Sequence, residues 1–451
     1  MLPHLEGLTF SVQTFGCQMN KHDSERIVGM LESEGCVQVS QPEDSDIVVF
    51  MTCCVRESAD TRLFGHVMSL KDQPLRPGSP LTERIIALGG CIGQRDGEKL
   101  IEQMPHVQVV FGTHTLSELP RLIEDATASK RGVALAEMSD GFSTDLPTRR
   151  ETPWSAWLPI TTGCDNFCTY CIVPYVRGRE KSRKLEDVIA EAEGYVAQGV
   201  KEITLLGQNV NSYGRDLYGE PRFARLLDAM EATGVERIRF ATSHPKDLSD
   251  EVIERFAILP HLMPALHLPV QSGSDRVLQA MNRRYTQAHY LDLIRKLRCA
   301  RPDIALSTDI IVGFPGETEE DFQQTLRVIE EVGYHQVFSF IYSKREGTPA
   351  ATYPDEVPRE VSQERFERLL KVVEAGAITA NRLDEGSLVE VLVEGASKKD
   401  AQMLSGKTPK GQTVHAPLPQ GVTVEDLQGT IIPVQIIQAK TWYLAGEVRI
   451  P

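Results

Sequence analysis

Between about residues 150 and 381 the sequence alternates six times between strand-type and helical patterns, and this alternation constrains the fold more than any other feature. A helix between two strands returns the chain to the same edge of a sheet, so the strands pair in parallel. Six such units predict an open (β/α)6 barrel with reactive groups at the carboxyl ends of its strands. The predicted strands are 156–161, 202–206, 237–241, 265–268, 304–312 and 336–341, and the predicted helices are 185–198, 274–281, 289–300 and 319–332.

The segments on either side of this region have different sequence patterns. Residues 8–125 mix short strand patterns with amphipathic stretches, which predicts a small parallel α/β domain. Residues 384–451 carry β-branched runs broken by glycine, proline and lysine, which predicts a small all-β barrel, an architecture shared by RNA-binding and purely structural domains. We therefore expect three domains, 8–125, 150–381 and 384–451, with a linker at 126–153. The predicted outer strands are 9–15, 46–51, 84–88, 387–393, 429–437 and 442–450, and the predicted outer helices are 24–34 and 59–70.

The charge of the chain limits how it meets other molecules. A net charge of -15 excludes a protein that coats nucleic acid generally, because such binding requires Lys and Arg to neutralise phosphates. The stretch RGREKSRK at 177–184 is a local exception with five basic residues and one acid, although such runs are ordinarily solvated loops. No apolar run approaches the roughly 18 residues that span a bilayer, and no secretion signal is present, so a cytoplasmic location is expected.

Three cysteines stand within eight residues just past the first strand of the predicted barrel. Cys164, Cys168 and Cys171 have the spacing C-x3-C-x2-C, with an aromatic residue, Tyr170, before the last thiol. A structural zinc site needs four ligands, so this triad requires a remote fourth ligand if it binds zinc. Three thiolates on an iron–sulfur cubane instead leave one iron free to chelate S-adenosylmethionine (SAM). The spacing therefore predicts a radical SAM iron–sulfur cluster.

A second set of cysteines follows the three predicted strands of the first domain. Cys17, Cys53 and Cys91 each lie just past a strand, and parallel strands bring their carboxyl ends to one edge of a sheet. The three thiols are predicted to converge there as the ligands of a second cluster, the alternative being three ordinary half-buried cysteines. The remaining cysteines are predicted to be non-ligands, and their roles are left open: Cys36, Cys54 and Cys299.

Polar residues also follow the strands of the predicted barrel, where a cofactor is expected to bind. Four of them are candidate SAM-binding residues, although turn chemistry alone also explains polar residues at such positions. These candidates are Gln208, Asn209, Ser243 and Gln271. We assign no side-chain acid or base, because at such a site the cofactors carry out the difficult chemical steps and the protein binds and orients them.

The motifs together resemble the radical SAM methylthiotransferases, and the resemblance covers nearly the whole chain. It is carried by TFGCQMN, TCCVRESA and GGCIGQR around the first triad and by TTGCDNFCTYCIVPYVRGRE around the second. The segments LLGQNVNSYG, RFATSHPKDLSDEVIE, HLPVQSGSDRVLQAMNRRY and STDIIVGFPGETEEDF follow in the order usual for that family. The resemblance implies a methylthiotransferase amino-terminal domain, a radical SAM core and a TRAM domain.

The resemblance also implies a reaction. Its substrate is adenosine 37 of tRNA, already carrying an isopentenyl group on N6, and its product is the 2-methylthio derivative. The implied cofactors are two [4Fe–4S] clusters and SAM, and the implied partners include an unidentified reductant and sulfur donor. Contacts to the anticodon arm are expected near the radical triad and, more distantly, in the terminal barrel. The candidate residues for these contacts are Arg177, Arg179, Lys181, Arg183, Lys184, Lys407 and Lys410.

Other functions remain open on the residues alone. A sibling enzyme of the same family acts on threonylcarbamoyladenosine in tRNA, and another modifies ribosomal protein S12. The TSHPKDL stretch favours the isopentenyladenosine substrate over both. A non-catalytic, metal-containing RNA-binding protein is the alternative from a different class, and cleavage of SAM by the reduced protein distinguishes it from an enzyme.

Overall fold

The computed structural model describes residue 2 and residues 4–54, 57–128, 130–136 and 146–449. The predicted linker at 126–153 and the end of the predicted last strand at 450 lie partly outside the described residues. The chain divides into two compact units. The first comprises 1–152, 157–167 and 171–183, and the second comprises 153–156, 168–170 and 184–451. No helix among the described residues is long and apolar enough to cross a membrane.

A six-stranded parallel sheet, in the order β2-β1-β3-β4-β5-β6, forms the centre of the first unit. β3 and β4 are buried along their whole length, as expected for apolar central strands covered by helices on both faces. The strands are β1 (Thr9–Phe15), β2 (Val37–Gln38), β3 (Ile47–Thr52), β4 (Ile85–Gly90), β5 (Val109–Phe111) and β6 (Gly132–Ala134). The helices are α1 (Gln18–Ser33), α2 (Glu57–Leu70), α3 (Cys91–Asp96), α4 (Glu98–Gln103) and α5 (Leu119–Thr127).

A short helix that follows the radical triad in sequence belongs to this first unit. Ile172 and Val176 share an apolar core with Cys91 and Ile92 at the start of α3. This packing places the carboxyl end of the short helix beside the carboxyl edge of the sheet. The elements of this part of the chain are β7 (Ser155–Pro159), β8 (Thr161–Thr162), α6 (Val173–Arg177) and β9 (Lys181–Ser182), of which β8 and β9 pair antiparallel.

The second unit contains the predicted alternation of parallel strands and helices, so the partial-barrel fold is confirmed. β10 pairs with β11, and β12, β13 and β14 form a second parallel sheet. The strands are β10 (Glu202–Leu206), β11 (Arg237–Phe240), β12 (Ala265–His267), β13 (Ala305–Val312) and β14 (Gln336–Ile341). The helices are α7 (Leu185–Ala197), α8 (Arg215–Tyr218), α9 (Phe223–Ala232), α10 (Asp250–Ile258), α11 (Asp275–Ala280), α12 (Gln287–Ala300), α13 (Glu319–Val332) and α14 (Arg359–Arg382).

A closed five-stranded barrel completes the second unit, as the sequence predicts. Its order is β15-β16-β17-β19-β18, and its interior is filled mainly by valine, leucine and isoleucine. Only three of its strands were visible as sequence patterns, because β16 is rich in polar residues and its register with β15 is interrupted by bulges. The elements are β15 (Leu388–Ser397), β16 (Asp400–Lys407), β17 (Thr413–Pro417), α15 (Val424–Leu427), β18 (Ile431–Ala439) and β19 (Leu444–Val448).

Two arginines of β11 fasten this barrel to the partial barrel. The guanidinium of Arg237 donates to the carbonyls of Lys407 at 2.9 Å and Glu390 at 3.1 Å. That of Arg239 donates to two carbonyls of the turn at 408–409, at 2.8 and 2.9 Å. Arg237 is buried, so its hydrogen bonds are shielded from water. The small barrel is therefore held by one particular strand of the larger one.

Candidate functional site

The three thiols of the first unit lie at one edge of its sheet. Phe15 at the end of β1 is in register with Thr52 at the end of β3, and Thr52 is in register with Gly90 at the end of β4. Cys17 precedes α1 as its N-cap residue, and Cys53 and Cys91 directly follow β3 and β4. The structure therefore brings the loops that carry Cys17, Cys53 and Cys91 to one crevice.

Backbone geometry directs Cys91 into this crevice. Gly90 has φ of 86°, a left-handed conformation that a side chain disfavours. A Cβ atom added at Gly90 would lie 2.6 Å from the carbonyl oxygen of Thr52 in the neighbouring strand, which is too close. The hydroxyl of Thr52 also accepts a 3.2 Å hydrogen bond from the backbone N–H of Ile92, which holds the first turn of α3. Glycine is thus required for β4 to turn into α3 with Cys91 as the first helical residue.

The electrostatic environment of these thiols favours thiolates, the form that binds metals. The hydrogen bond with Cys53 is the largest cause that lowers the pKa of Cys17 to about 6, and the charge of Arg177 contributes. The hydrogen bond with Cys54 is the largest cause that lowers the pKa of Cys91 to about 6, again with a contribution from Arg177. In both thiols the hydrogen bond and the charge of Arg177 outweigh the effect of burial, which by itself raises the pKa of a thiol.

Asn20 and Arg177 complete this site, and neither was among the ligands predicted for it. Asn20 is buried; its amide nitrogen donates to the carbonyl of Thr52 at 2.5 Å, and its oxygen accepts from Cys17 Sγ at 3.4 Å. The same oxygen accepts from Arg177 Nη2 at 3.3 Å. The only sequence signal for Asn20 is its place in the TFGCQMN motif, and Arg177 was expected in a surface patch instead.

The donor set is one that an iron–sulfur cluster uses, since its irons are held by Cys thiolates. A cubane has a separate iron for each thiolate, so its ligands surround a volume and need not meet at one point. Three thiols from three loops, two of them with lowered pKa, suit that requirement.

The other cysteines occupy different surroundings. Cys54 lies in the apolar core beside Cys91, and the interaction with the Cys91 thiolate, followed by burial, raises its pKa. Cys36 is buried and donates to the carbonyl of Leu5, and burial raises its pKa to about 12. Cys299 is exposed on α12. Their assignment as non-ligands stays a prediction.

The loop of the second triad is shaped by close backbone contacts. The backbone N–H of Cys164 donates to the carbonyl of Gly178 at 3.1 Å within the first unit. A Cβ atom at Gly163, where φ is 76°, lies 2.1 Å from the carbonyl oxygen of Arg179. Phe167 also has a positive φ, 48°, which is strained for an aromatic residue. Such strain is common where a loop is built to present ligands.

Cys168 of the same triad belongs to the second unit, where it meets a buried arginine. Arg283 Nη1 donates to Cys168 Sγ at 3.4 Å, and the same guanidinium donates to the Pro269 carbonyl at 2.7 Å and the Tyr285 hydroxyl at 2.9 Å. Thr169 donates to the carbonyl of Ala280 at 2.9 Å. The middle of the triad is therefore held against 280–285, a segment that the sequence did not single out as part of the site.

Polar atoms without partners gather past the ends of β10 and β11. Burial without a hydrogen bond is costly, and such groups in a crevice point to a ligand. Asn209 is oriented by a 2.8 Å hydrogen bond from its amide nitrogen to Asp247, and Gln271 has a strained φ of 71°. The buried atoms with no hydrogen-bond partner among the described residues include Gln208 Oε1, Asn209 Oδ1, Asn211 Nδ2, Ser243 Oγ and His244 Nε2.

The basic stretch at 177–184 is not one continuous patch in the structure. Arg177 is only 6% exposed and Arg183 only 4%, and Arg183 donates to the carbonyl of Pro159 at 3.1 Å. The expectation that these two contact tRNA phosphate is therefore corrected, because solvent and polyanions do not reach buried guanidinium groups. The prediction is kept for Arg179 and Lys184, which are exposed, and for Lys181, which is partly exposed.

The two lysines predicted to bind RNA from the terminal barrel are both engaged within the protein. Lys410 forms a 2.6 Å ion pair with the buried carboxylate of Asp384. Lys407 donates to the hydroxyl of Thr413 at 2.8 Å and is partly buried. Aromatic residues are more exposed on this barrel, notably Trp442 and Tyr443. Tyr443 packs against the ring of His415, with ring centroids 5.2 Å apart.

Models of known families match three segments of the chain. Residues 9–112 match the uncharacterized protein family UPF0004, residues 158–329 match the radical SAM superfamily, and residues 382–448 match the TRAM domain. Among solved structures, the radical SAM methyltransferase TsrM from Kitasatospora setae is similar with a TM-score of 0.53 over 76% of this chain and 74% of that chain. Its sequence identity of 14% makes this a likeness of fold alone.

Curated relatives are similar over almost the whole chain. A tRNA-2-methylthio-N(6)-dimethylallyladenosine synthase of Streptomyces viridosporus is 47% identical, covering 97% of this chain and 87% of the relative. The synthase of the same name from Carboxydothermus hydrogenoformans is 46% identical, covering 97% of this chain and 98% of the relative. The chain therefore belongs to the radical SAM methylthiotransferase family.

Proposed function

We propose that this enzyme converts N6-isopentenyladenosine at position 37 of tRNA to its 2-methylthio derivative. The observation that carries the proposal is the 46 to 47% identity, over 97% of the chain, to synthases named for that product. We also propose the three domains expected from the sequence, 8–125, 150–381 and 384–451, which the matches at 9–112, 158–329 and 382–448 support. Action on tRNA further supports a cytoplasmic enzyme.

The proposed cofactors are two [4Fe–4S] clusters and SAM, which supply the radical chemistry that replaces an inert C2 hydrogen of adenine with a methylthio group. Cys164, Cys168 and Cys171 hold one cluster, and the first unit's triad holds the other. The lowered pKa values of Cys17 and Cys91 support the latter assignment, because ligands must lose their protons to bind iron. An external reductant and sulfur donor are also required.

We propose that the residues past β10 and β11 hold SAM. Gln208, Asn209 and Ser243 present buried atoms that lack partners, and SAM offers amino, carboxylate and ribose groups to satisfy them. Gln271 stands in the corresponding position past β12, where its backbone is strained. The pKa of His244 is well below its ordinary value because of burial and the charge of Arg283, so its ring is neutral; Nδ1 accepts from the backbone N–H of Lys246, which leaves Nε2 as a donor.

Nucleoside analysis tests the function directly. In cells that lack the gene, mass spectrometry of digested tRNA is expected to show loss of the 2-methylthio nucleoside and accumulation of its N6-isopentenyladenosine precursor. Restoring the gene restores the product. Loss of 2-methylthio-threonylcarbamoyladenosine instead assigns the enzyme to the sibling that acts on that nucleoside, and an unmodified aspartate in ribosomal protein S12 assigns it to the other sibling.

We further propose that the exposed basic residues after the radical triad contact the anticodon arm. Reversing Arg179 and Lys184 to Glu is expected to weaken tRNA binding and to flatten its salt dependence. Each lost phosphate contact removes roughly one unit from the slope of log affinity against log salt. Affinity measured by filter binding at several salt concentrations checks this expectation.

The control is a charge-matched double variant on another surface of the chain. Arg121 and Arg131 are also exposed, so reversing both to Glu makes the same change in net charge outside the proposed contact. Its salt slope is expected to match that of the unaltered enzyme. If both double variants change the slope equally, the 179–184 segment is an ordinary solvated loop and the contact proposal fails.

A further inference from the structure

Arg177 is a buried cation at the thiol site of the first unit. It is the last residue of α6, and the carbonyl of the preceding residue, Val176, accepts a 2.8 Å hydrogen bond from the hydroxyl of Thr113. Ile172 and Val176 anchor the same helix in the apolar core around Cys91. The backbone that carries the guanidinium is therefore fixed from two sides, as expected for a side chain held in one position.

The guanidinium contacts several groups of that site at once. Its Nη2 lies 3.3 Å from Asn20 Oδ1 and 3.6 Å from Asp23 Oδ2, and its side chain hydrogen-bonds Cys91. Asn20 in turn accepts from Cys17 Sγ at 3.4 Å, so one amide oxygen links this arginine to a second thiol. The position of Arg177 is thus tied to two of the three candidate cluster ligands.

An ion pair with Asp23 alone does not account for this arrangement. The carboxylate of Asp23 lies 3.6 Å from Arg177 Nη2, a longer contact than the 3.3 Å from the same nitrogen to Asn20 Oδ1. When the three cysteines bind a cluster as thiolates, the buried cation lies next to the negative charge that they bring.

Reduction of a cluster by one electron adds a negative charge close to its thiolate ligands. A fixed positive charge in a buried environment stabilises that reduced state more than the oxidised one. We propose that Arg177 is a positioning residue of the first unit's cluster, orienting Cys91 and Asn20 and raising the cluster's reduction potential. The inference rests on the proposed cluster at Cys17, Cys53 and Cys91.

The test isolates that cluster in the full-length chain. Replacing Cys164, Cys168 and Cys171 by Ala leaves one cluster, whose potential is measured by dithionite titration of the anaerobically reconstituted protein with detection by electron paramagnetic resonance. In that background Arg177→Gln is expected to shift the reduction equilibrium at least tenfold towards the oxidised state, a fall of about 59 mV for a one-electron couple. Arg177→Lys keeps the charge and is expected to recover most of the shift.

Arg179→Gln is the matched control, since it removes the same charge two residues further on, at an exposed position. Its potential is expected to remain unchanged. The proposal is overturned if Arg177→Gln binds iron with an unchanged potential, or if the Lys and Gln variants shift it equally. If Arg177→Gln binds no iron, retention of iron and potential by Arg177→Lys supports the proposal, and loss of iron from both overturns it. If the variant that lacks Cys164, Cys168 and Cys171 binds no iron at all, the proposed cluster of the first unit is refuted.

Discussion

Replacing Cys164, Cys168 and Cys171 together by Ala is expected to lower the iron content from roughly eight atoms per chain to roughly four and to abolish reductive cleavage of SAM. In the proposed assignment this triad supplies the thiolates of one [4Fe–4S] cluster, and the cluster of the first unit uses separate ligands. Iron and sulfide analysis after anaerobic reconstitution measures the first effect. Chromatographic detection of 5′-deoxyadenosine measures the second.

A matched triple variant controls for the loss of three thiols. Cys36, Cys54 and Cys299 can be replaced by Ala in the same way, and this variant is expected to keep all of its iron and its cleavage activity. The two variants carry the same number of substitutions of the same kind. Retention of all iron by the 164/168/171 variant, or equal losses from the two, contradicts the assignment of the radical cluster.

The adjacent residues Cys53 and Cys54 provide the second large contrast. Cys53→Ala is expected to lose about half the iron and all methylthiolation while retaining cleavage of SAM, because the radical cluster is left intact. Cys54→Ala is expected to keep both iron and activity. The side chain of Cys53 interacts with Cys17, whereas that of Cys54 is enclosed in the apolar core of the sheet. Iron analysis and the yield of methylthiolated tRNA distinguish the two.

The same contrast can refute the assignment. Because Cys54 forms a hydrogen bond with Cys91, it is the nearest rival for the third ligand position. If Cys54→Ala loses iron and Cys53→Ala does not, the two residues exchange roles. A loss of iron in both, with correctly folded protein by circular dichroism, means that the pair acts as a unit and that the three-ligand description is wrong.

Much of the fold was predictable because its longer elements carry strong local signals. The patterns at 202–206, 336–341 and 319–332 match β10, β14 and α13 residue for residue. In α13 the start is marked by a capping box between Thr318 and Asp321, a signal written in the sequence itself. The missed elements are very short, such as β2 and β6, or polar, such as β16, and their pairing depends on neighbours distant in sequence.

In the candidate site, the candidate ligands were easier to predict than the polar residues that surround them. Six cysteines are predicted as ligands from spacing and strand ends, an assignment that stays a prediction, but the polar residues around them were not predicted. The sequence predicts that α1 starts at 24, whereas the helix begins at Gln18. Its first turns are polar, which is typical of a loop, yet Asn20 and His22 are buried, and Asn20 contacts Cys17 and Arg177. For the same reason Arg177 looked like a surface charge; only tertiary packing reveals that it is buried.

The hydrogen bonds from Arg237 attach the terminal barrel at the amino end of β11, opposite to the end that leads to Ser243. Arg237 is at the start of β11, and Ser243 lies six residues later, past the other end of that strand. Six residues at 3.3 Å or less place the two at most about 20 Å apart, and the four residues of β11 account for about 10 Å of that distance. An RNA that touches both the barrel and the reactive base must bridge that span. A free nucleoside bound at the reactive end gains nothing from the barrel's attachment at the other end of the strand.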